Sequence, residues 1–407
     1  MANTFQDPLW YLKEVGRGYE NSLTFIAHVK RIASSEYKVE GAKVGNTVNY
    51  RLPPLFMVSD GQALDVQNIQ NRSVPITLTN QKHVDMGWST WQETTELNTA
   101  MEETKAAGNA LASVIDALAF STVYKDVYNA VGTLGTTPTT RLTYLTAGRL
   151  LTDLAVTKQG RNAVLDPEAA IQIADTVAAM FNPREESSEA FREGFMGKGL
   201  GLTFYEDQNV ATFTSGAATG ASTPIVNGAN QTGSSLITSG WGAGTFAGVK
   251  GDMFTLAGVY SVNPLSKKST GRLQRFALTA NVSDAAGAAT LSITPSIVTS
   301  GAYQNVSNSP ANSAVLTYWN MAAGGTFAAT VSPTSMVFHP AAFAFVTADL
   351  VKPNGGANVE RIGSPARGVA LRMAEQWDVR TDQNITRIDT IVGAATLDAR
   401  FAVRVQG

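Results

Sequence analysis

The sequence contains no cysteine. That excludes disulfides, thiolate metal sites and cysteine nucleophiles together. Its three histidines, His28, His83 and His339, are widely separated. None pairs with a second histidine at ligand spacing, so no zinc signature is present and structural roles are expected. Charge is scarce as well: 16% of residues, against about a quarter in ordinary soluble domains. The net charge is −2, and Lys267-Lys268 is the one Lys-Lys pair. No basic patch of the kind that neutralises phosphates is visible, so tight nucleic-acid binding is not expected. No run approaches the ~18 consecutive apolar residues of a membrane span. Met1 to Trp10 has neither the basic nor the apolar region of a secretory signal.

Motifs for chemistry are equally thin. GFMGKGLG (194–201) lacks the Ser or Thr that must follow the lysine of a phosphate loop, and it is read as a turn before a strand. Glu185, Glu186 and Glu189 lie among Arg184, Arg192 and serines and read as a solvated helix face. Asp60 and Asp65 are not spaced as a calcium loop, and no GxSxG elbow occurs. No catalytic, cofactor-binding or metal-ligating residue is assigned, and the chain is expected not to be an enzyme.

What the sequence does contain is length and pattern. Its 407 residues are 44% hydrophobic with 36 glycines, enough for two or three domains. Leu9, Trp10, Leu12 and Val15 suit one face of a short helix in an N-terminal arm (1–44). Residues 46–53 alternate, with Val48, Tyr50 and Leu52 on one face; residues 73–79 alternate likewise, with Val74, Ile76 and Leu78. Pro75 predicts an edge position for the second strand. The intervening Pro53 to Arg72 is far longer than a hairpin loop, which points to a functional arm. Leu97, Met101, Leu111, Ile115, Leu118 and Val127 predict one long helix over 95–129, capped by Thr94 or Thr95 and ended by Gly132 and Gly135. Further helices are predicted at 143–157, 167–180 and 184–192, and strands at 162–165 and 201–213.

After Phe213 the composition changes. Residues 214–335 carry seven formal charges, and short apolar runs (234–239, 252–262, 272–282, 289–298) alternate with Gly/Ser/Asn turns. This predicts a small inserted β-barrel or sandwich. Pro340 is expected to open one helical turn. Closing strands are expected at 345–350, 368–378, 386–393 and 399–405. In the last, Phe401, Val403 and Val405 alternate with Arg400, Ala402 and Arg404.

Three stretches carry a family likeness: MVFHPAAFAFVTADL (336–350), TRIDTIVGAATLDARFAVRV (386–405) and GFMGKGLGLTFYEDQNV (194–210). With the order of elements, they resemble tailed-phage major capsid proteins of the Hong Kong 97 fold. GDMFTLAGVYSVNPLSKKSTGRLQRFALT (251–279) resembles the inserted barrel of the short-tailed-phage coat branch. The resemblance implies an α+β capsid fold: N-terminal arm 1–44, extended loop 45–92, peripheral domain with spine helix 93–160, axial domain 161–213, inserted antiparallel β-barrel 214–335, and closing strands 336–407. It implies a subunit that self-assembles as hexamers and pentamers into an icosahedral head around double-stranded DNA, in the virion and with no membrane. The extended-loop residues Val48, Tyr50, Leu52, Val74, Ile76 and Leu78 would support subunit contact. The implied partners are further copies of the chain, a separate scaffolding protein, a portal protein, packaged DNA by weak non-specific contact, and optionally a decoration protein. No cofactor is implied. An encapsulin-like cargo shell and a β-rich binding or adhesin module are the alternatives.

Overall fold

A computed structural model describes residues 12–13, 15–16, 19, 23–33, 45, 47–59, 61–62, 66–69, 71–95, 100–178, 195–199, 201–220, 223–321, 325–353, 358–364 and 369–406. Leu9, Trp10, Asp60, Asp65, Leu97 and the helix expected at 184–192 lie outside them. The chain forms two compact units: residues 1–50, 73–122 and 343–397 in the first, and 51–72, 123–342 and 398–407 in the second.

The first unit is organised by one long strand and one long helix. Gln383–Thr396 pairs antiparallel with Phe343–Ala348, Val369–Asp378 and Asn80–Ser89. Asn358–Ser364 extends the sheet at one edge, and Lys30–Ala33 joins in parallel at the other. The strands at 80–89 and 358–364 escaped the sequence reading. Asn80–Ser89 alternates between half-buried and exposed positions, but with few large apolar residues.

The long helix is Ala100–Val123, followed by a 3-10 turn at Tyr124–Asp126. Its 24 residues span roughly 36 Å at 1.5 Å per residue, shorter than the expected 95–129. Val127 is buried but extended, outside the helix. Thr95 ends a separate helix, Thr90–Thr95, where its hydroxyl donates to the Trp91 carbonyl. Leu111, Ala112, Ile115, Ala119 and Phe120 form the buried face. Asp116 lies on that same face and is fully buried. Its oxygens accept from the Phe25 and Ile26 amides at 3.1 and 2.8 Å. It therefore satisfies two free N–H groups at the start of the short helix Phe25–His28, a task Thr24 does not perform. Lys105–Asp126 has the length and mean hydropathy of a membrane span, but half of it is buried within the chain. Phe25 packs edge-on to Phe120 at 5.0 Å, and a Cβ at Gly108 would come within 3.0 Å of Val15. Leu12 and Val15 are thus buried where the predicted arm helix should be.

The second unit holds a mixed six-stranded sheet. Its order is Ala130–Val131, Ala402–Val405, Ser335–Phe338, Arg161–Leu165, Leu202–Glu206 and Phe195–Gly199. Phe195–Gly199, expected to be a turn, is a strand hairpinned to Leu202–Glu206. Helices Arg141–Asp153 and Pro167–Ala178 accompany the sheet, and Tyr144, Ala147, Leu151, Ala170 and Ile173 belong to its core. Arg161, buried, donates to the Gly148 and Val156 carbonyls at 2.7 and 2.6 Å. A cation is favoured at a helix C-terminus, where carbonyls lack partners.

Residues 215–330 are bracketed by one small pairing, Thr212–Thr214 against Val331–Pro333. Between these ends, an antiparallel sheet runs Ile225–Val226, Gly233–Ser239, Ala288–Ile297, Ser269–Leu278, Met253–Val262 and Leu316–Tyr318. The outermost segments also meet: Val226 N donates to Ala314 O at 3.0 Å, and Leu316 N to Pro224 O at 2.9 Å. Leu236, Phe254, Phe276, Leu291, Ile293 and Tyr318 fill the interior. Trp241 stacks on Phe246 at 3.8 Å.

The alternation expected in the last strand is not observed. All of Ala402–Val405 is buried, and Arg404 is the largest fully buried side chain. Its strand is flanked by Ala130–Val131 and Ser335–Phe338, and packing covers both of its faces, so successive side chains are buried on either side. Arg404 Nη2 donates to Gly251 O at 2.6 Å, and the guanidinium lies 5.2 Å from the Phe213 ring centre. Burial holds its pKa down at about 10. Buried Asp252 accepts from the Gly216 and Val249 amides at 3.1 and 2.8 Å. Burial pushes its pKa up to about 6, against those bonds and the nearby Arg404 charge.

Candidate subunit-contact site

Thr47–Leu52 and Arg72–Thr77 form a separate two-stranded sheet. Both are edge strands, so Pro75 costs no interior ladder bond. The six predicted residues divide by depth. Val48 and Ile76 are buried within the chain, while Tyr50, Leu52, Val74 and Leu78 are half-buried. Lys30 Nζ donates to the Tyr50 hydroxyl at 2.5 Å and lies 4.5 Å from its ring centre. At the base, a Cβ on Gly393 would meet Thr77 O at 2.5 Å, so the backbones pass too closely for any side chain there.

Beyond the strands, the described residues of 53–71 have no regular structure. The two limbs are tied by Gln67, whose Oε1 accepts from Met57 N at 2.9 Å and whose amide donates back to Met57 O. Arg72 stacks its guanidinium 5.2 Å over the Tyr303 ring. Beside the polar Ser59, Gln62 and Asn68, four large apolar side chains are exposed here: Phe56 by 54%, Val58 by 87%, Val66 by 76% and Ile69 by 64%. Sequence reasoning marked Pro53 to Arg72 as an arm by its length but assigned contact to the alternating strands and named none of the tip's apolar residues. The run Leu55-Phe56-Met57-Val58 between Pro54 and Ser59 was the available signal.

The histidines offer no alternative site. His83 pairs with Asp85 at 2.8 Å on an exposed strand. His339 Nδ1 accepts from Ala341 N at 3.2 Å, and burial, then the Arg161 charge, lower its pKa. His28 is likewise lowered by burial and by Arg31. Among the described residues, no cluster of three metal-ligating side chains occurs.

The sequence matches the model of the family described as P22 coat protein, gene protein 5, over residues 3–406. The chain belongs to the P22 coat protein family. As a coat protein, it is the major capsid protein whose copies build the icosahedral shell of a phage head, and its place is the virion. Solved structures similar to the coat protein include one of Mycobacterium phage Che8, at 14% identity and TM-score 0.45, covering 94% of this chain and 90% of that one. The capsid of Ralstonia phage GP4 is similar at 9% identity and TM-score 0.43, with 94% and 87% covered. The mature capsid of bacteriophage PhiM1 is similar at 10% identity and TM-score 0.41, with 100% and 89% covered. No curated protein sequence matches the chain.

Proposed function

We propose that this coat protein builds its shell in the Hong Kong 97 manner, with the extended loop 45–92 reaching onto a neighbouring copy. The observation that supports this is the apolar tip. Phe56, Val58, Val66 and Ile69 are mostly exposed on the isolated subunit, on an arm whose two limbs are tied through Gln67. A single exposed Leu or Val needs no explanation, but a cluster on a projecting loop marks a contact surface. Burying four such side chains is worth on the order of 5 kcal/mol before ordering costs. That is modest for one contact and substantial when a closed lattice repeats it. On this reading, Val48, Tyr50, Leu52, Val74, Ile76 and Leu78 stiffen the stalk that carries the tip.

The rest of the reading follows the expected divisions: an arm to residue 44, a spine-helix domain over 93–160, an axial domain over 161–213, and closing strands from 336. Residues 214–335 act as an inserted antiparallel β-barrel. The hydrogen bonds joining 224–226 to 314–316 support closure of its strand order into a ring. The subunit works as structure and not as a catalyst. A separate scaffolding protein, a portal, weakly held DNA and a decoration protein are the partners this reading expects.

Shortening the tip between Pro54 and Asn71 tests it. Monomer folding, read by circular dichroism and thermal unfolding, should persist, while shells vanish from electron micrographs of the expressed coat protein with its neighbouring genes. Normal shells from the shortened chain would refute loop bridging.

A further inference from the structure

The second unit contains a cavity of about 430 Å³ between the helix Arg141–Asp153 and the strands Met253–Val262 and Ser269–Leu278. Arg272 and Arg275 both line it. Their charges are unequally compensated. Arg272 Nε lies 3.7 Å from Asp153 Oδ2, which Arg149 also approaches at 4.0 Å. One carboxylate thus serves two guanidiniums. Arg275 has no carboxylate within 4 Å among the described residues; its guanidinium instead sits 5.5 Å from the Trp319 ring centre. Trp319 is itself fixed by its Nε1 donating to Gly132 O at 2.9 Å. Burial, with repulsion from Arg272, lowers the Arg275 pKa to about 10, and Arg275 in turn repels buried Arg404. A buried or half-buried cation without a counter-charge is costly, and an anion relieves it.

The neighbouring hydroxyls complete the picture. Ser261 and Thr270 are engaged with each other. Thr255, directly across the ladder from Arg275, lines the cavity and has no hydrogen-bond partner among the described residues. A planar guanidinium held by an indole beside a free hydroxyl is a donor set for a tetrahedral oxyanion.

We propose that this cavity binds a small oxyanion of the phosphate class, gripped by Arg275 with Thr255 and assisted by Arg272. The bound anion would tie the helix Arg141–Asp153 to the strand pair and so brace the base of the 215–330 region. The proposal does not depend on how the loop tip functions, and it is tested on unassembled subunits.

The test is isothermal titration of full-length subunit with inorganic phosphate, exchanged against chloride at constant ionic strength. One saturable site is expected. Arg275→Ala should weaken it at least about tenfold, as loss of a charge-assisted hydrogen bond implies, and Thr255→Val by a few-fold. Lys352→Ala, at an exposed pair with Glu360, should leave binding unchanged. Heat that never saturates in the wild type, or equal affinity in Arg275→Ala and wild type, would overturn the site and mark an adventitious ion only. Should Arg275→Ala fail to fold, the wild-type titration and Thr255→Val decide the matter alone.

Discussion

The extended loop and the 215–330 region use similar residues to opposite ends. Both carry Val, Leu, Ile and Phe on antiparallel strands joined by turns or loops. In the 215–330 region six strands pair in one sheet, and Phe254, Phe276, Leu291 and Tyr318 vanish from the surface. In the loop only two strands pair, Val48 and Ile76 are covered at the base, and Phe56, Val58, Val66 and Ile69 stay exposed. A two-stranded ribbon has too few neighbours to cover both its faces, whereas a larger sheet with a packed core covers one face completely. Apolar residues therefore stabilise the subunit in one region and stay exposed on its surface in the other.

The sharpest way to break this comparison is at the tip. Phe56, Val58, Val66 and Ile69 changed together to Ser should abolish shells while shifting monomer stability by less than about 0.5 kcal/mol per site, as for exposed residues generally; assembly by light scattering and denaturant unfolding give the two readings. The mirror experiment is Phe276→Ala, at a fully buried site. It should cost about 3–5 kcal/mol in urea unfolding, from lost transfer energy plus the cavity left behind. Arg404→Ala comes next. It removes the nearby positive charge that offsets burial of Asp252, and a loss of roughly 3 kcal/mol is expected. The double variant with Asp252→Asn should recover part of that loss, because the unpaired carboxylate is gone.

The smallest effect is the most specific. The folded pKa of Asp252 is raised to about 6, above its unfolded value, so its stabilising contribution is fully present below the unfolded pKa and is lost as pH rises through about 6. The second unit should gain roughly 1 kcal/mol between pH 7.5 and pH 5 from this group. Asp252→Asn should flatten that slope. An unchanged slope in hydrogen exchange or urea midpoints would remove Asp252 from the account.

Much of the fold was legible because its signals are local. Period-two alternation marked Thr47–Leu52 and Arg72–Thr77, short apolar runs between turns marked the main strands of the 215–330 region, helical spacing marked Arg141–Asp153, and the proline at its first position marked Pro167–Ala178. The loss of charge after Phe213 located a region that the pairing of Thr212–Thr214 with Val331–Pro333 closes off. Where signals were not local, the reading strayed. The long helix was extended to 129 because Val127 kept the stripe, yet Val127 is buried by tertiary packing in extended form. Asn80–Ser89 was missed because its pairing with Gln383–Thr396 decides its structure more than its own apolar content does.

By itself the sequence determined the elements with strong local patterns, their order, and the scarcity of catalytic motifs, since these follow from residue type and spacing along one chain. Tertiary structure alone decided which apolar side chains stay in water and which charges leave it. Burial depends on what lies on either side of a strand, and that is supplied by segments far away in sequence. Arg404 reads as an outward residue in an alternating strand; between Ala130–Val131 and Ser335–Phe338, with both faces of its strand covered, it becomes the most deeply buried cation among the described residues.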